Sequence, residues 1–314
     1  MRPQSLKPVA RAAAFTPPRT GILQRMRKRA PIYLFLLPGT AIFLIWTIYP
    51  LVDAFIMSFY HWNLNGPSTY IGLANYQQAL ADPIFIQAMK NVVLYALISV
   101  PGQLIFGLGV ALLLDGAVRF RAFFRTLFYL PVVTSWVVVS LLFTYLYNSQ
   151  AGAINYVLYD VLHVIPGYIF WLGDENVALP AIAFMNIWKG IGWTAVIFLA
   201  GLQTIPGDVY EAAKVDGAGR IQRFKRITIP LLAPTFMFLV VMLVIGAFNT
   251  FIQVFIMTQG GPNHSTETVL TYMYTNAFAN VDFGYGAAIS YLFTLLIFVI
   301  SVAEIRILRR RYQY

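Results

Sequence analysis

The sequence predicts an all-α membrane protein with about six transmembrane helices, on the evidence of composition, hydropathy and charge placement. Its 314 residues are 59% hydrophobic and only 11% charged, against roughly 25% charged in a typical soluble domain. A membrane-spanning helix needs about 20 mostly apolar residues. Six stretches meet that requirement: 32–60, 87–114, 122–147, 176–202, 231–257 and 286–308.

Two features complicate this simple bundle. The mixed apolar and polar stretch 154–171 is predicted to be an interfacial segment, with a seventh span as the alternative. Prolines interrupt several spans, and such breaks are tolerated where neighbouring helices or a water-lined cavity satisfy the freed backbone groups. Ordinary kinks explain them equally well, so both interpretations stay open. The prolines are Pro50, Pro101, Pro131, Pro180 and Pro234.

Charge placement predicts the orientation, because cytoplasmic connections retain Lys and Arg. Of the 22 cations, 20 fall before the first span, in 119–125, in 214–226 or in 306–311, all on one side of an even-numbered topology. Both termini are therefore expected in the cytoplasm. The predicted organisation is a cytoplasmic tail (1–31), a membrane domain (32–308) and a short cytoplasmic tail (309–314).

Several function classes have no support in the residues. Cysteine is absent and the three histidines lie far apart in sequence, so neither a disulfide nor a metal site is predicted, and no cofactor is expected. The net charge of +10 does not indicate a nucleic-acid partner, because the cations cluster in membrane connections rather than on a folded soluble face. The bilayer is the expected environment.

The connection 203–230, QTIPGDVYEAAKVDGAGRIQRFKRITIP, is predicted to form two short helices. Asp208 is expected to cap the first, with Glu211 completing a reciprocal cap three residues later. Gly217 is expected to end that helix with a positive φ. A second helix, from about 219 to 227, is expected to stop before Pro230 starts the fifth span. The residues alone leave open whether this hairpin docks a partner or is only a capped basic loop.

Part of this hairpin resembles the EAA signature of permease subunits in bacterial ABC importers, carried by Glu211, Ala212, Ala213, Asp216, Gly217, Ala218, Phe224, Ile227, Ile229 and Pro230. The resemblance implies the ABC type I importer permease fold, with the hairpin as the coupling helix that an ATPase subunit grips. The residues it assigns to that coupling are Glu211, Ala212, Ala213, Asp216, Gly217, Ala218 and Phe224.

Other stretches, in their order along the chain, resemble the carbohydrate-uptake branch of that family and its maltose-permease F-type subunit. They are GLANY (72–76), AGLQTIP (200–206), GGP (260–262) and DFGYGAA (282–288). The chain lacks that subunit's large external insertion and extra N-terminal spans, so maltose itself is not implied. The GGP turn is expected outside the membrane, as a contact for a binding protein or as a simple loop.

The resemblance also implies partners. No G-x-x-x-x-G-K-[ST] phosphate loop occurs, so ATP hydrolysis is expected in separate subunits and not in this chain. The implied assembly contains two ATPase subunits, a second permease forming a heterodimer with this one, and an extracytoplasmic solute-binding protein that delivers a sugar-class substrate. The expected location is the cytoplasmic (inner) membrane of a bacterium or archaeon, crossed several times.

Lys189 is the candidate functional residue that the spans themselves offer. It lies roughly 17 to 20 Å inside the fourth span, and ionisable residues at that depth default to functional candidates. Pairing with a neighbouring helix's carbonyls or with an acid is the alternative. Together with the resemblance, the fourth and fifth spans supply the expected substrate-binding set: Asn186, Lys189, Gly190, Trp193, Ala247, Phe248, Asn249 and Thr250.

Three alternatives remain at this point. An ABC permease for another solute, such as glycerol phosphate, would use the charge of Lys189. A membrane enzyme lacks a histidine cluster or paired carboxylates in the spans. A stand-alone secondary transporter lacks deep carboxylates for ion coupling.

Overall fold

The computed structural model describes residues 30–62, 66–116 and 120–311. The chain divides into two compact units, Met1–Asp53 and Ala54–Tyr314. The helices in chain order are α1 Ala30–Phe43, α2 Tyr49–Met57, α3 Ala74–Ala81, α4 Pro83–Asp115, α5 Arg121–Val133, α6 Trp136–Leu146, α7 Ala153–Asn155, α8 Ala178–Gln203, α9 Gly207–Val215, α10 Arg220–Arg223, α11 Ile229–Leu231, α12 Ala233–Phe248, α13 Ile252–Met257, α14 Val269–Tyr274 and α15 Phe283–Arg311. Strands β1 Tyr60–His61 and β2 Thr69–Tyr70 pair antiparallel, and π-helical turns span Leu44–Ile48, Tyr156–Val161, Phe224–Thr228 and Thr275–Ala279.

The first unit is helical throughout its described part. Helix α1 runs into the π-helical turn Leu44–Ile48 and then into the start of α2. The large apolar side chains from Leu34 to Trp46 are exposed, with Trp46 at 76%. Large exposed apolar surface of this kind is typical of helices that face lipid. The predicted tail 1–31 lies almost entirely outside the described residues.

Across the described ranges, five helical stretches have the length and hydropathy to cross a membrane. A sixth span exists if α5 and α6 are counted together, but these two helices meet at a bend of 95°. The span predicted over 122–147 is therefore present only as a broken pair of helices, at one of the prolines expected to interrupt spans. Pro131, in the last turn of α5, and the extended backbone of Thr134 interrupt it, so α6 begins in a new direction from Ser135.

The predicted interfacial segment contains only the short helix α7 and the π-helical turn after it, so it does not form a seventh span. Asn155 is fully buried and organises this region. Its amide nitrogen donates to the carbonyls of Ser149 (3.1 Å) and Ile169 (2.9 Å), while its oxygen accepts from the Trp171 indole (2.8 Å). One satisfied side chain thus holds an irregular loop in shape.

Two stretches that carried the resemblance meet on the β-hairpin. Asn75 of GLANY donates to the carbonyls of Ser58 (2.9 Å) and Tyr60 (3.1 Å). Gly284 of DFGYGAA packs so closely there that a Cβ would lie 2.1 Å from the Tyr60 carbonyl oxygen. These motifs therefore have a structural reason of their own, because they join the hairpin to the start of α15.

Asp82 joins three elements at the same end of the molecule. It caps α4 through the Ile84 amide (2.8 Å) and accepts hydrogen bonds from the hydroxyls of Tyr272 and Tyr285. Burial opposes its ionisation, but these hydroxyls and amides outweigh burial and hold the pKa of Asp82 below its ordinary value of 3.8. Burial and the bond to Asp82 raise the pKa of Tyr272 to about 12, so Tyr272 remains a donor at neutral pH.

Acid should weaken this junction in a defined window. Because the folded-state pKa of Asp82 is lowered, its stabilising contribution is complete above pH 3.8 and is lost as the pH falls through the lower folded-state value. The thermal midpoint of the purified protein should exceed that of an Asp82→Asn variant by a constant margin from pH 7 to pH 5. That margin should shrink below the ordinary pKa of the carboxyl. A margin independent of pH would show that charge plays no part.

Helices α5 and α8 pack closely at Gly192. A Cβ at this position would lie 2.0 Å from the Phe128 carbonyl oxygen, which is backbone and cannot swing away. We expect Gly192→Ala to lower the free energy of unfolding by about 1–3 kcal/mol, the usual cost of overpacking. Gly109→Ala is the matched control, because nothing lies within 4 Å of a Cβ there. Thermal unfolding in detergent compares the two, and equal stability would contradict the predicted contact.

Candidate functional site

The break between α5 and α6 leaves backbone carbonyls without helical partners, and Lys189 supplies the missing donors. Its ammonium donates to the carbonyls of Pro131 (2.8 Å), Val132 (3.1 Å) and Thr134 (2.8 Å). Lys189 is 3% exposed, and its Nζ lies 4.5 Å from the centre of the Trp136 ring. A cation at a helix C-terminus also interacts favourably with the helix dipole.

This geometry uses all the hydrogen-bond donors of Lys189. An ammonium has three N–H groups, and three carbonyls accept them. The sequence left two interpretations open, a substrate ligand or a partner of a neighbouring helix's carbonyls. The contacts are those of the second interpretation. Lys189 still contributes its positive charge to the space beside it.

The fifth predicted span is interrupted as well. Helix α12 ends at Phe248, and α13 resumes at Ile252 after a short non-helical turn. Asn249 terminates α12, and its side-chain amide donates to the Ile245 carbonyl at 2.8 Å. Phe251 stacks on Phe255 with ring centres 5.2 Å apart. Irregular backbone at membrane depth is tolerated where it is buried in protein or lines a cavity.

A cavity of about 370 Å³ lies between the two breaks, within the roughly 300–1,000 Å³ of ligand pockets. Its lining combines aliphatic groups, two indoles, an ammonium and four carboxamides. The residues are Gln103, Val132, Trp136, Asn186, Lys189, Gly190, Trp193, Met242, Leu243, Gly246, Ala247, Asn249, Phe251, Ile252 and Gln253.

A larger cavity, of about 570 Å³, lies beside Tyr147, Trp171 and Phe184. Its lining is almost entirely apolar and includes no charged side chain. Ligand sites combine apolar walls with a few convergent polar groups. The smaller cavity has that combination, so we take it as the candidate functional site.

Six of the eight predicted substrate residues line the candidate site: Asn186, Lys189, Gly190, Trp193, Ala247 and Asn249. The other two do not. Phe248 is buried and stacks on Phe293 with ring centres 5.9 Å apart. Thr250 is buried, and its carbonyl accepts a hydrogen bond from the Thr268 hydroxyl (3.0 Å). Both therefore hold the break in shape from the outside.

Sequence reasoning missed the contributions of α4 and of the third-span break. Gln103 and Trp136 line the candidate site but were not singled out, whereas Gln253 was expected on the polar surface of the fifth span. A usable signal existed for Gln103, because a polar residue within an apolar span is expensive and deserves the same attention as a charge. Trp136 had no such signal, since indoles occur throughout the spans.

The predicted hairpin is present, with two corrections. Helix α9 starts at Gly207, and no side chain caps it, so the reciprocal cap between Asp208 and Glu211 was wrong. Asp208 lies in the first turn, where its charge favours the helix dipole. The second helix does not stop before Pro230. From Arg220 the helical backbone continues through a π-helical turn into α11.

The end of α9 follows the prediction. Gly217 has φ of +76°, a conformation that costs other L-residues roughly 1–2 kcal/mol. The amide of Ala218 donates to the Ala213 carbonyl (2.9 Å) and that of Gly217 to the Lys214 carbonyl (3.0 Å). This pair of bonds is the Schellman motif, which satisfies carbonyls at a helix C-terminus.

The residues predicted to couple to an ATPase divide into two groups by exposure. Glu211, Ala212, Asp216 and Gly217 are exposed, and Ala213 and Ala218 are partly so. Phe224 instead packs inward against the buried cluster that contains Phe198 and Leu232, and the Tyr210 hydroxyl lies 2.9 Å from that of Thr228. The hairpin thus presents a small-residue surface outward and is anchored to the helices by aromatic side chains.

Replacement of Lys189 by Met should expose its structural role. The variant keeps an unbranched side chain but leaves three buried carbonyls without a charged donor. We expect the free energy of unfolding to fall by about 1.5–3 kcal/mol, the range for hydrogen bonds to charged groups. Lys90→Met is the control, because the Lys90 side chain is exposed and makes no hydrogen bond among the described residues. A Met variant as stable as the parent would contradict this assignment.

Comparison with known proteins supports the architecture. Residues 103–313, more than half of the chain, match the family described as "Binding-protein-dependent transport system inner membrane component". The probable ABC transporter permease protein YurN of Bacillus subtilis is 36% identical over 87% of this chain and 94% of its own length. The sulfoquinovosyl glycerol transport system permease protein SmoG of Agrobacterium fabrum is 36% identical over 88% and 90%.

A solved structure has the same fold. It is the crystal structure of a bacterial alginate ABC transporter in complex with an alginate pentasaccharide-bound periplasmic protein, with a TM-score of 0.81 and 23% identity. The match covers 93% of this chain and 98% of that chain. Broken spans, a cavity between them and a Gly-terminated hairpin therefore occur here within a known permease fold. The chain belongs to the family of binding-protein-dependent transport system inner membrane components, the permease subunits of ABC transporters.

Proposed function

We propose that this chain forms half of the pathway by which an ABC importer moves a sugar, an oligosaccharide or a polyol across the membrane. The observation that carries the proposal is the candidate site. It lies between two interrupted spans and combines carboxamides with the indoles of Trp136 and Trp193. A polyhydroxylated solute offers hydroxyls for the carboxamides and C–H faces for the rings.

Its relatives favour the same substrate class. SmoG is described as a transporter of sulfoquinovosyl glycerol, and the alginate transporter was solved with a protein carrying an alginate pentasaccharide. Both solutes are carbohydrate derivatives. A site built from carboxamides and indoles is consistent with a ligand of that type, since polar groups fix orientation and apolar walls provide contact area.

The contacts of Lys189 argue against the glycerol phosphate alternative. It depended on Lys189 as the partner of an anionic group, but the three donors of that ammonium are taken by backbone carbonyls. No Arg lines the candidate site, although Arg forms the usual bidentate contact to phosphate. A neutral or weakly acidic sugar fits this chemistry better.

Transport would follow alternating access, with the hairpin 203–230 as the coupling element. Both termini and the hairpin lie in the cytoplasm on this proposal, because 20 of the 22 cations fall on that side. The exposed surface of Glu211, Ala212 and Asp216 would seat in an ATPase subunit. Closure of the ATPase pair on ATP would then move the helices against which Phe224 packs.

The complete assembly on this proposal contains two ATPase subunits, a second permease and an extracytoplasmic solute-binding protein. The exposed apolar faces of α4 and α15, including Leu97 and Phe298, provide surface for the second permease or for lipid. The proposed location is a bacterial or archaeal cytoplasmic membrane. Residues 32–308 would form the membrane domain, between a cytoplasmic tail at each end.

Gly217→Pro tests the coupling role. Proline holds φ near −65°, which is incompatible with the +76° at this position, and it removes the amide that donates to Lys214. Sugar uptake by reconstituted transporter should fall at least about tenfold, as expected for a cost above roughly 1.4 kcal/mol. Gly207→Ala is the control, since φ there is not positive and nothing lies within 4 Å of a Cβ. Undiminished uptake in the Pro variant would sink the coupling assignment.

The substrate class is tested with the purified solute-binding protein that stimulates ATP hydrolysis by the reconstituted transporter. A calorimetric panel of neutral oligosaccharides, an alginate oligosaccharide, glycerol and glycerol phosphate should give binding only to the sugar or polyol members. Uptake into proteoliposomes should follow the same selectivity. Tight binding of glycerol phosphate alone would overturn the carbohydrate assignment.

A further inference from the structure

Gln103 is the polar residue of the candidate site that sequence reasoning did not single out. It lies on α4 two residues after Pro101 and belongs to none of the stretches that carried the family resemblance. Only 6% of its surface is exposed, yet its side chain lines the cavity. Its carboxamide is thus placed in the one described space between the two broken spans.

The carboxamide of Gln103 has no hydrogen-bond partner among the described residues. Buried carboxamides away from the cavity are satisfied. Asn155 makes several hydrogen bonds, and Asn75 and Asn91 each donate to two carbonyls. Buried polar groups in native proteins are nearly always paired, so an unpaired one that faces a cavity indicates a ligand or water.

The fourth span leaves the space that this carboxamide occupies. A Cβ at Gly190 would lie 1.9 Å from Oε1 of Gln103 and 3.2 Å from its Nε2. The absence of a side chain at Gly190 therefore has a steric explanation, because any larger residue would displace the Gln103 carboxamide. Asn186, one turn earlier on α8, lines the same cavity, and its carboxamide also makes no hydrogen bond among the described residues.

We propose that Gln103 is a substrate-binding residue of this permease. Its carboxamide donates from Nε2 and accepts at Oε1, and so binds a pair of neighbouring hydroxyls on the sugar or polyol. Gly190 leaves room for it, and Asn186 supplies a second carboxamide from α8. The inference rests on the proposed function and adds α4 to the helices that bind the substrate.

Cysteine accessibility tests this directly, because the chain contains no cysteine and labelling of this chain, separated from its partners by electrophoresis, reports on the introduced residue. In the complete reconstituted transporter, Gln103→Cys should react with a small charged methanethiosulfonate reagent. Ile105→Cys is the matched control. It lies on the same helix, two residues away, with 68% of the side chain exposed on the outer surface, where an apolar environment disfavours the reactive thiolate. It should react at least tenfold more slowly.

Protection by substrate distinguishes the proposed role of Gln103 from the proposed transport function. Labelling is repeated with neutral oligosaccharides, an alginate oligosaccharide or glycerol, delivered by the binding protein during ATP turnover. Asn186→Cys serves as the reference position. Protection of both Gln103→Cys and Asn186→Cys by the same sugar supports the inference. Protection of Asn186→Cys alone overturns the role of Gln103 but leaves the proposed function intact. Protection of neither position by any member overturns both.

A double-mutant cycle tests the link to Gly190. Gln103→Leu should reduce sugar transported per ATP hydrolysed roughly two- to tenfold, the range for one lost hydrogen bond. Gly190→Ala should give a similar loss, because it displaces the same carboxamide. The double variant should be no worse than Gln103→Leu, which is the signature of residues acting through one group. Gly109→Ala controls for an added methyl group. Additive losses would contradict the positioning role of Gly190.

Discussion

The contact between Lys189 and the carbonyls at the end of α5 is the interaction on which the interior of this permease depends. Each partner would be unfavourable alone. A buried ammonium in an apolar span is costly, and so are backbone carbonyls freed by a break at membrane depth. Because the ammonium donates to three of those carbonyls, the two costs offset each other. A 95° change of direction between α5 and α6 is thereby tolerated.

That bend creates the space of the candidate site. A straight third span would place ordinary helix surface against α8. Instead Val132 and Trp136 turn toward the cavity, opposite the second interruption between α12 and α13. Glycines then decide how close the walls approach, with Gly192 against the Phe128 carbonyl and Gly190 beneath the Gln103 carboxamide. Close packing and the lining of the candidate site therefore depend on glycines of the same helix, α8.

The two ends of the molecule are organised by different means. At the end that contains the β-hairpin, Asp82, Asn75 and Asn91 join distant segments through buried or half-buried polar contacts. At the other end, α9 finishes in a Schellman motif and its surroundings are held by aromatic packing. Polar junctions at one end and the exposed helical hairpin 203–230 at the other suit a subunit that transmits motion across the bundle.

The sequence by itself determined the membrane class, the number of apolar segments, the hairpin and its positive-φ glycine. Each depends on local properties: hydropathy over about 20 residues, or one residue without a Cβ. It also singled out Lys189 and most of the α8 wall. Only the tertiary structure decided that Lys189 serves the backbone of another span, that Phe248 and Thr250 face away from the cavity, and that Gln103 faces into it. Those outcomes depend on which helix lies opposite. Pro131 marked a break in the sequence, but the 95° angle of the bend and the partner of the freed carbonyls depend on tertiary packing.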